Sequence, residues 1–153
     1  MKFNENFNYL ENEKIKLLII EKNKGGENII PYYYYAIILK ETDKEIGKIS
    51  IRIGHNKHSY YNGNIGFEIY DEYRGFKYSL LASKMVLQIA KFHGMNYLYL
   101  SCDESNIASS KIIENLGANL IEVAVPPIDY IFYYKGMEIQ KIYKINLITK
   151  PSI

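Results

Sequence analysis

Tryptophan is absent from this chain of 153 residues, and cysteine occurs once, as Cys102. A lone cysteine excludes an internal disulfide and any zinc cluster built from several thiolates, and it suits a reducing compartment. No apolar run approaches the roughly 20 residues that a membrane-spanning helix needs. No basic segment leads into one either, since Met1 to Glu13 is rich in Asn and Glu. Charge of one sign is also missing. The 19 basic and 17 acidic residues leave a formal net charge of +2. They are spread along the chain and build no face that would track a phosphate backbone. The expectation from these absences is a cytoplasmic protein without a membrane or nucleic-acid partner.

What is present is ordinary for a folded domain. Hydrophobic residues make up 48% and charged residues 24%, the balance of a globular protein. The length suits a single domain, residues 1–153, able to bury roughly two-thirds of its unfolded surface. No internal repeat or linker divides it. The 16 tyrosines, with abundant Ile, Lys and Asn, form a skew that AT-rich codons favour.

The order of elements follows from periodicity. A strand is expected over Lys14 to Glu21, then a Gly-rich break at Asn23 to Asn28. Two β-branched and aromatic runs, Tyr32 to Lys40 and Glu45 to Ile53, flank the turn residues Thr42-Asp43-Lys44 and predict a hairpin. Gly54 to Gly63 reads as a polar loop carrying His55, His58, Tyr60 and Tyr61. A fourth strand is expected over Asn64 to Tyr70. From Ser79 to His93 the apolar residues Leu81, Ala82, Met85, Val86, Ile89 and Ala90 fall on one helical face, with Gly94 placed to end it. Asn96 to Ser101 is then a fifth strand, parallel to the fourth because a helix crosses between them. A second helix is expected over Ile107 to Leu116, with Ser105 or Asn106 as N-cap and Gly117 after it. The last strands are Asn119 to Val125 and Gln140 to Leu147, joined by a long loop that opens on Pro126-Pro127. The fold class is therefore α/β, with a mixed, mostly antiparallel sheet around one βαβ unit.

Chemistry concentrates between the fourth strand and the second helix. Arg74-Gly75-Phe76-Lys77-Tyr78-Ser79 joins the strand to the first long helix, so its N–H groups converge where the helix dipole favours an anion. About thirty residues on, Asn106-Ile107-Ala108-Ser109 opens the helix that ends in Leu116-Gly117-Ala118. This constellation resembles the acetyl-CoA site of the GNAT superfamily of N-acetyltransferases. Gly54-His55-Asn56 and Tyr60-Tyr61-Asn62-Gly63-Asn64-Ile65-Gly66 are similar to an uncharacterised bacterial branch of it. The likeness spans about Lys44 to Leu147.

The resemblance implies acetyl transfer from acetyl-CoA, without a metal, to a primary amine of a small molecule or peptide. It assigns acetyl-CoA to Ile69, Tyr70, Arg74, Gly75, Phe76, Lys77, Tyr78, Ser79, Asn106 and Ser109. A backbone N–H at a bulge in the fourth strand is expected to polarise the thioester carbonyl. An alkylamine is neutral in only about one molecule per thousand near pH 7, a handicap of about 4 kcal/mol. Glu68, on that strand, is the carboxylate expected as catalytic base. His55, Tyr61 and Tyr130 are the expected acceptor contacts. Tyr60, Tyr133 and Tyr134 complete an aromatic wall where the loops His55 to Asn62 and Pro126 to Ile139 should meet.

Three departures from the family pattern stand out. Lys77 takes the place of the second loop glycine. Ile113 stands where members often carry a tyrosine as general acid. Lys22 to Pro31 is too short for the two helices that usually shape the acceptor pocket, so a second subunit of a homodimer is one way to close it. Two other readings stay open: a CoA-binding or regulatory module that no longer catalyses, and an acetyltransferase of protein N-termini.

Overall fold

The computed structural model describes residues 1–148. Its longest hairpin follows from the β-branched and aromatic runs. Strand β3 (Tyr32–Leu39) pairs with β4 (Lys44–Arg52) across a turn in which Asp43 sits at φ +60°. Before them β1 (Tyr9–Glu11) and β2 (Ile15–Asn23) pair antiparallel. A 3-10 turn at Glu5–Asn8 leads in and buries Phe7. This first strand was not expected. Three residues carry too little periodicity to show in a sequence, and β1 exists because Tyr9 to Glu11 can pair with Lys16 to Leu18. The connection from Asn23 to Tyr32 holds a single isolated bridge between Gly26 and Ile29, so no helix intervenes there, as its length demanded.

The expected polar loop after β4 is instead partly helical. Helix α1 (Lys57–Asn62) starts at Asn56, whose side chain accepts from the N–H groups of His58 and Ser59. Ser59 Oγ accepts in turn from the Asn56 N–H at 2.8 Å, a reciprocal capping box. Strand β5 (Ile65–Ile69) then closes a five-stranded antiparallel sheet in the order β1-β2-β3-β4-β5. Helix α2 (Tyr78–Phe92) packs on β4 and β5. After it come β6 (Tyr97–Asp103), α3 (Ile107–Asn115), β7 (Asn119–Ala124) and β8 (Gln140–Asn146). These strands form a second sheet in the order β6-β8-β7, also antiparallel.

Strand alternation decides what each face carries. Tyr33, Tyr35, Ile37, Ile49, Ile51, Ile65 and Ile69 point to one side and are buried with Ala82, Val86 and Ile89 of α2. The pairing register places Tyr32 opposite Arg52, Tyr34 opposite Ser50, and Ser50 opposite Gly66. Those residues therefore share the other face, the one without α2. The run of four tyrosines, Tyr32 to Tyr35, is split by this rule. Tyr33 and Tyr35 are wholly buried, while Tyr32 and Tyr34 face the side that α2 leaves uncovered.

Candidate active site

The parallel pairing expected between β5 and β6 is reduced to one stitch at Asn64, which is fully buried. Its N–H donates to the Tyr99 carbonyl at 2.6 Å, and its side-chain oxygen accepts from the Tyr99 N–H at 2.9 Å. Its amide donates to the carbonyls of Arg52 and Gly54. Beyond this residue the strands belong to separate sheets. A cleft of about 410 Å³ separates them, lined by Gly66 and Phe67 on one side and Ser101 and Cys102 on the other.

Both walls present unpaired backbone. In the β4–β5 ladder Arg52 N–H bonds Asn64 O and Tyr70 N–H bonds Ile46 O. The mutually bonded pairs are thus the even-numbered ones, and alternation turns the N–H and C=O of Ile65, Phe67 and Ile69 away from β4, into the gap. The same argument on β6, from the Glu104 N–H to Ile139 O bond, directs those of Ser101 toward the cleft. The bulge expected in this strand is absent, because the register with β4 runs unbroken from Gly47↔Ile69 to Ile51↔Ile65. The free N–H groups come from the edge position itself. The bulges lie elsewhere, at Ile19/Glu21, beside Ile37/Ile38 and at Leu120/Glu122.

At its far end β5 runs into the loop. Arg74 Nε donates to the Ile69 carbonyl at 3.0 Å, and its guanidinium pairs with Asp71. That side chain fastens the loop to the strand, and Ile69 O is taken up by it. Tyr70 is tied to the neighbouring strand at the surface, since its hydroxyl donates to Glu45, which pushes its ionisation up to about 12. Gly75 has φ +89°, a conformation that favours glycine. Lys77, at the N-cap of α2, has φ +65° and ψ 21°, with no side-chain cap. The family's glycine preference at this position thus has a visible cause, a left-handed backbone that lysine adopts under strain. The uncapped first turn of α2 leaves the N–H groups of Tyr78 and Ser79 free among the described residues, beside the exposed Phe76 ring, which stacks on Tyr78. Asn106 and Ser109 both line the cleft, and Asn106 is the N-cap of α3, accepting from the Ser109 N–H at 3.1 Å.

The two loops expected to meet do so. Lys57 pairs with Asp129 at 2.9 Å, His58 Nδ1 accepts from the Ile131 N–H at 3.2 Å, and the rings of Tyr61 and Tyr130 lie 5.7 Å apart. Of the expected aromatic wall, Tyr61, Tyr130 and Tyr134 line the cleft. Burial pushes the Tyr130 hydroxyl up to about 12, against the opposing pull of Arg52. Tyr60 packs on Tyr99, and neither Tyr60 nor Tyr133 reaches the cleft. His55 stacks on Tyr97 at 4.3 Å and lines neither this cleft nor the cavity described below. It is His58, four per cent exposed, that reaches one. Glu68 is exposed on the sheet face opposite α2 and lines neither cavity.

A second cavity, of about 330 Å³, opens on that face under the long loop. Tyr32, Tyr34, Ser50, Arg52 and His58 form its inner wall, with Phe132 above. Arg52, Asn62 and Phe132 line both cavities, so the two meet there. The sequence reading missed Arg52 and Asn64. Alternation along β4 placed Arg52 on a face but showed nothing of the cavity under it. Asn64 lay inside a motif whose structural purpose only the splayed strands reveal. Ile113 is buried in the core, so no acid projects from that position.

Two sheets splayed around a cleft, with a strand–loop–helix junction at its end, define the GNAT type of fold. The sequence profile of the Acetyltransferase (GNAT) domain matches residues 5–119, and the chain belongs to that family. Solved structures share the fold at low identity. An acetyltransferase (GNAT family) from Bacillus anthracis has TM-score 0.59 and 18% identity over 74% of this chain. The ribosomal-protein-S5-alanine acetyltransferase from Vibrio fischeri has TM-score 0.68 and 16% identity over 94% of this chain and 99% of its own. The microcin C7 self-immunity acetyltransferase MccE, in complex with acetyl-CoA and AMP, has TM-score 0.58 and 19% identity over 76% of this chain. This chain spans 65% of the length of the first and 61% of the third. No curated protein is similar to it in sequence. Among the described residues no helix is long and apolar enough to cross a membrane, and no cluster of three His, Cys, Asp or Glu is placed to hold a metal.

Proposed function

We propose that the protein transfers an acetyl group from acetyl-CoA to the primary amine of a small molecule. The observation that carries this is the cleft between β5 and β6, where free strand edges lead to the uncapped start of α2. The pantetheine arm is an amide chain of the length and polarity to bond those edges, and its pyrophosphate fits the N–H groups of Phe76 to Ser79. Asn106 and Ser109 stand along the opposite wall. A free N–H of Phe67 points where the thioester carbonyl would lie and would bind the charge that develops on its oxygen. The amine nitrogen bonds the carbonyl carbon as the carbon–sulfur bond breaks. The nitrogen releases a proton and the departing sulfur gains one.

Glu68 lies outside both cavities, two residues beyond Gly66 on the same face and roughly 7 Å along the strand, so as base it takes the amine proton through a chain of waters and not by contact. Ser109 and Tyr134 are hydroxyls on the cleft wall that supply the sulfur's proton in the absence of a tyrosine at Ile113. The acceptor enters through the cavity on the uncovered sheet face.

Calorimetry with CoA and the variant Gly75→Val tests this reading. A Cβ at Gly75 meets nothing within 4 Å in the protein, so the variant's harm falls on the ligand side and on a backbone at φ +89°. At least a tenfold loss of CoA affinity is expected, about 1.4 kcal/mol. Unchanged affinity in a folded Gly75→Val protein would remove the site. Failure of the wild type to release CoA with any amine would leave a binding module only.

A further inference from the structure

Arg52 ends β4, and its guanidinium lies over Gly66. A Cβ added there would stand 2.7 Å from Arg52 Nη2. Its Nη1 donates to the carbonyls of Asn62 at 3.2 Å and Gly63 at 2.8 Å. Nε and Nη2 have no partner among the described residues. The ion pairs there belong to Lys16, Lys40, Lys57 and Arg74, so no carboxylate answers Arg52. Partial burial pushes the half-buried guanidinium down from its ordinary value, and no carboxylate beside it offsets that loss of hydration.

The groups around it repeat the pattern. His58 Nδ1 accepts from the Ile131 N–H, so the neutral ring carries its proton on Nε2 and is a donor there. The hydroxyls of Tyr34 and Ser50 line the same cavity. The carboxylate at its rim, Glu21, is exposed and already accepts from Asn23 and Tyr32. The inner wall therefore offers donors in the Arg52 fork, His58 and the two hydroxyl residues, and its one carboxylate stands at the rim. An anion belongs in it.

Position specifies the anion further. Arg52 lines the passage between the two cavities, so a group held by it lies within a few bonds of whatever reacts above Gly66 and Phe67. We propose that the acceptor is a free α-amino acid or close analogue. Its carboxylate docks on the Arg52 fork, its α-amine faces the cleft, and its side chain lies under Phe132. The carboxylate–guanidinium pair is planar and bidentate. A cavity of about 330 Å³ is at the small end of ligand sites. A peptide N-terminus offers a neutral carbonyl at that point and leaves the half-buried cation without a counter-charge. This assignment rests on the acetyl-transfer reading for the position of the amine but not for the anion seat.

The test measures binding without requiring turnover. N-acetyl-L-amino acids and their carboxamides are titrated calorimetrically into the wild type, Arg52→Gln and Tyr34→Phe. Thermal unfolding checks that each variant folds. The acids should bind at least tenfold more tightly than the amides, and Arg52→Gln should bring the two within about threefold. Acids and amides binding alike in the wild type, or an acid preference that survives Arg52→Gln, overturns the proposal. Arg52 also holds Asn62 and Gly63, so should Arg52→Gln not fold, Tyr34→Phe decides. Loss of acid but not amide affinity supports the seat, and no change refutes it. Transfer to peptides or polyamines with free acids excluded refutes the acceptor while sparing acetyl transfer. Arg52-dependent acid binding in a protein that binds no CoA does the reverse.

Discussion

Replacing Lys77 by glycine should make the protein more stable. The side chain is exposed and has neither a hydrogen bond nor an ion pair among the described residues, while its backbone is held at φ +65°. An L-residue in that region costs roughly 1–2 kcal/mol relative to glycine. Glycine's freer unfolded chain offsets about 0.4–1 kcal/mol of the relief. The net gain is about 0.5–1 kcal/mol, which for a domain of roughly 150 residues raises Tm by about 1–4 °C. Lys77→Ala removes the same charge but keeps the strained φ, so its Tm should stay within about 1 °C of the wild type. Thermal unfolding of the three proteins reads strain apart from charge. A Lys77→Gly protein no more stable than Lys77→Ala would refute the argument. CoA titrations on the same variants then assign the side chain. An affinity lost in Lys77→Ala, with the loss shrinking at high salt, makes it a phosphate contact. An affinity equal or better in Lys77→Gly makes it an obstacle that evolution tolerated.

Two further outcomes follow from titratable groups. His93, bonded to the Tyr33 hydroxyl at 2.8 Å, is held below its ordinary range chiefly by burial. Above about pH 6.5 folded and unfolded forms are both neutral there. Below it the unfolded chain takes up the proton first, so stability is full above that pH and falls as pH drops through the folded pKa. Denaturant midpoints at pH 8 and 5.5 should differ less in His93→Gln than in the wild type, and an equal difference would clear His93 of the effect. Cys102 lines the cleft, and burial pushes its thiol up, away from the reactive thiolate. Cys102→Ala should therefore retain acetyl transfer within about threefold, and abolition of turnover with intact CoA binding would show that the thiol takes part in the chemistry.

Much of the site was legible because local rules built it. The helix from Tyr78 to Phe92 followed from its apolar stripe and from Gly94 at φ +79°. The hairpin followed from two β-branched runs around Thr42-Asp43-Lys44, and the loop from Gly75 between a strand and that helix. Helix α1 was legible too and was passed over. Asn56 and Ser59 have the spacing of a capping box, but six polar and aromatic residues show no apolar period to support it.

Chain-local pattern cannot decide which groups from distant segments come together. Nothing in Tyr32-Tyr33-Tyr34-Tyr35 says which pair is buried. Period 2 sorts them into two faces, and only the arrival of α2 on one side makes Tyr33 and Tyr35 core and leaves Tyr32 and Tyr34 on a cavity wall. The sequence alone likewise determined that β5 and β6 are joined by a crossing helix and so run side by side. Their separation beyond one stitch depends on Asn64, which answers the Tyr99 backbone with one edge and Arg52 and Gly54 with the other. The same holds for His55 and His58. Three residues apart and alike in sequence, they are parted by the first turn of α1, which aims one ring at Tyr97 and the other into a cavity with Arg52. Family, most of the element sequence and the glycine loop that opens α2 are properties of local pattern and spacing. The cleft, the cavity that meets it and the Arg52 guanidinium between them arise where segments far apart in the chain meet, and packing alone brings them there.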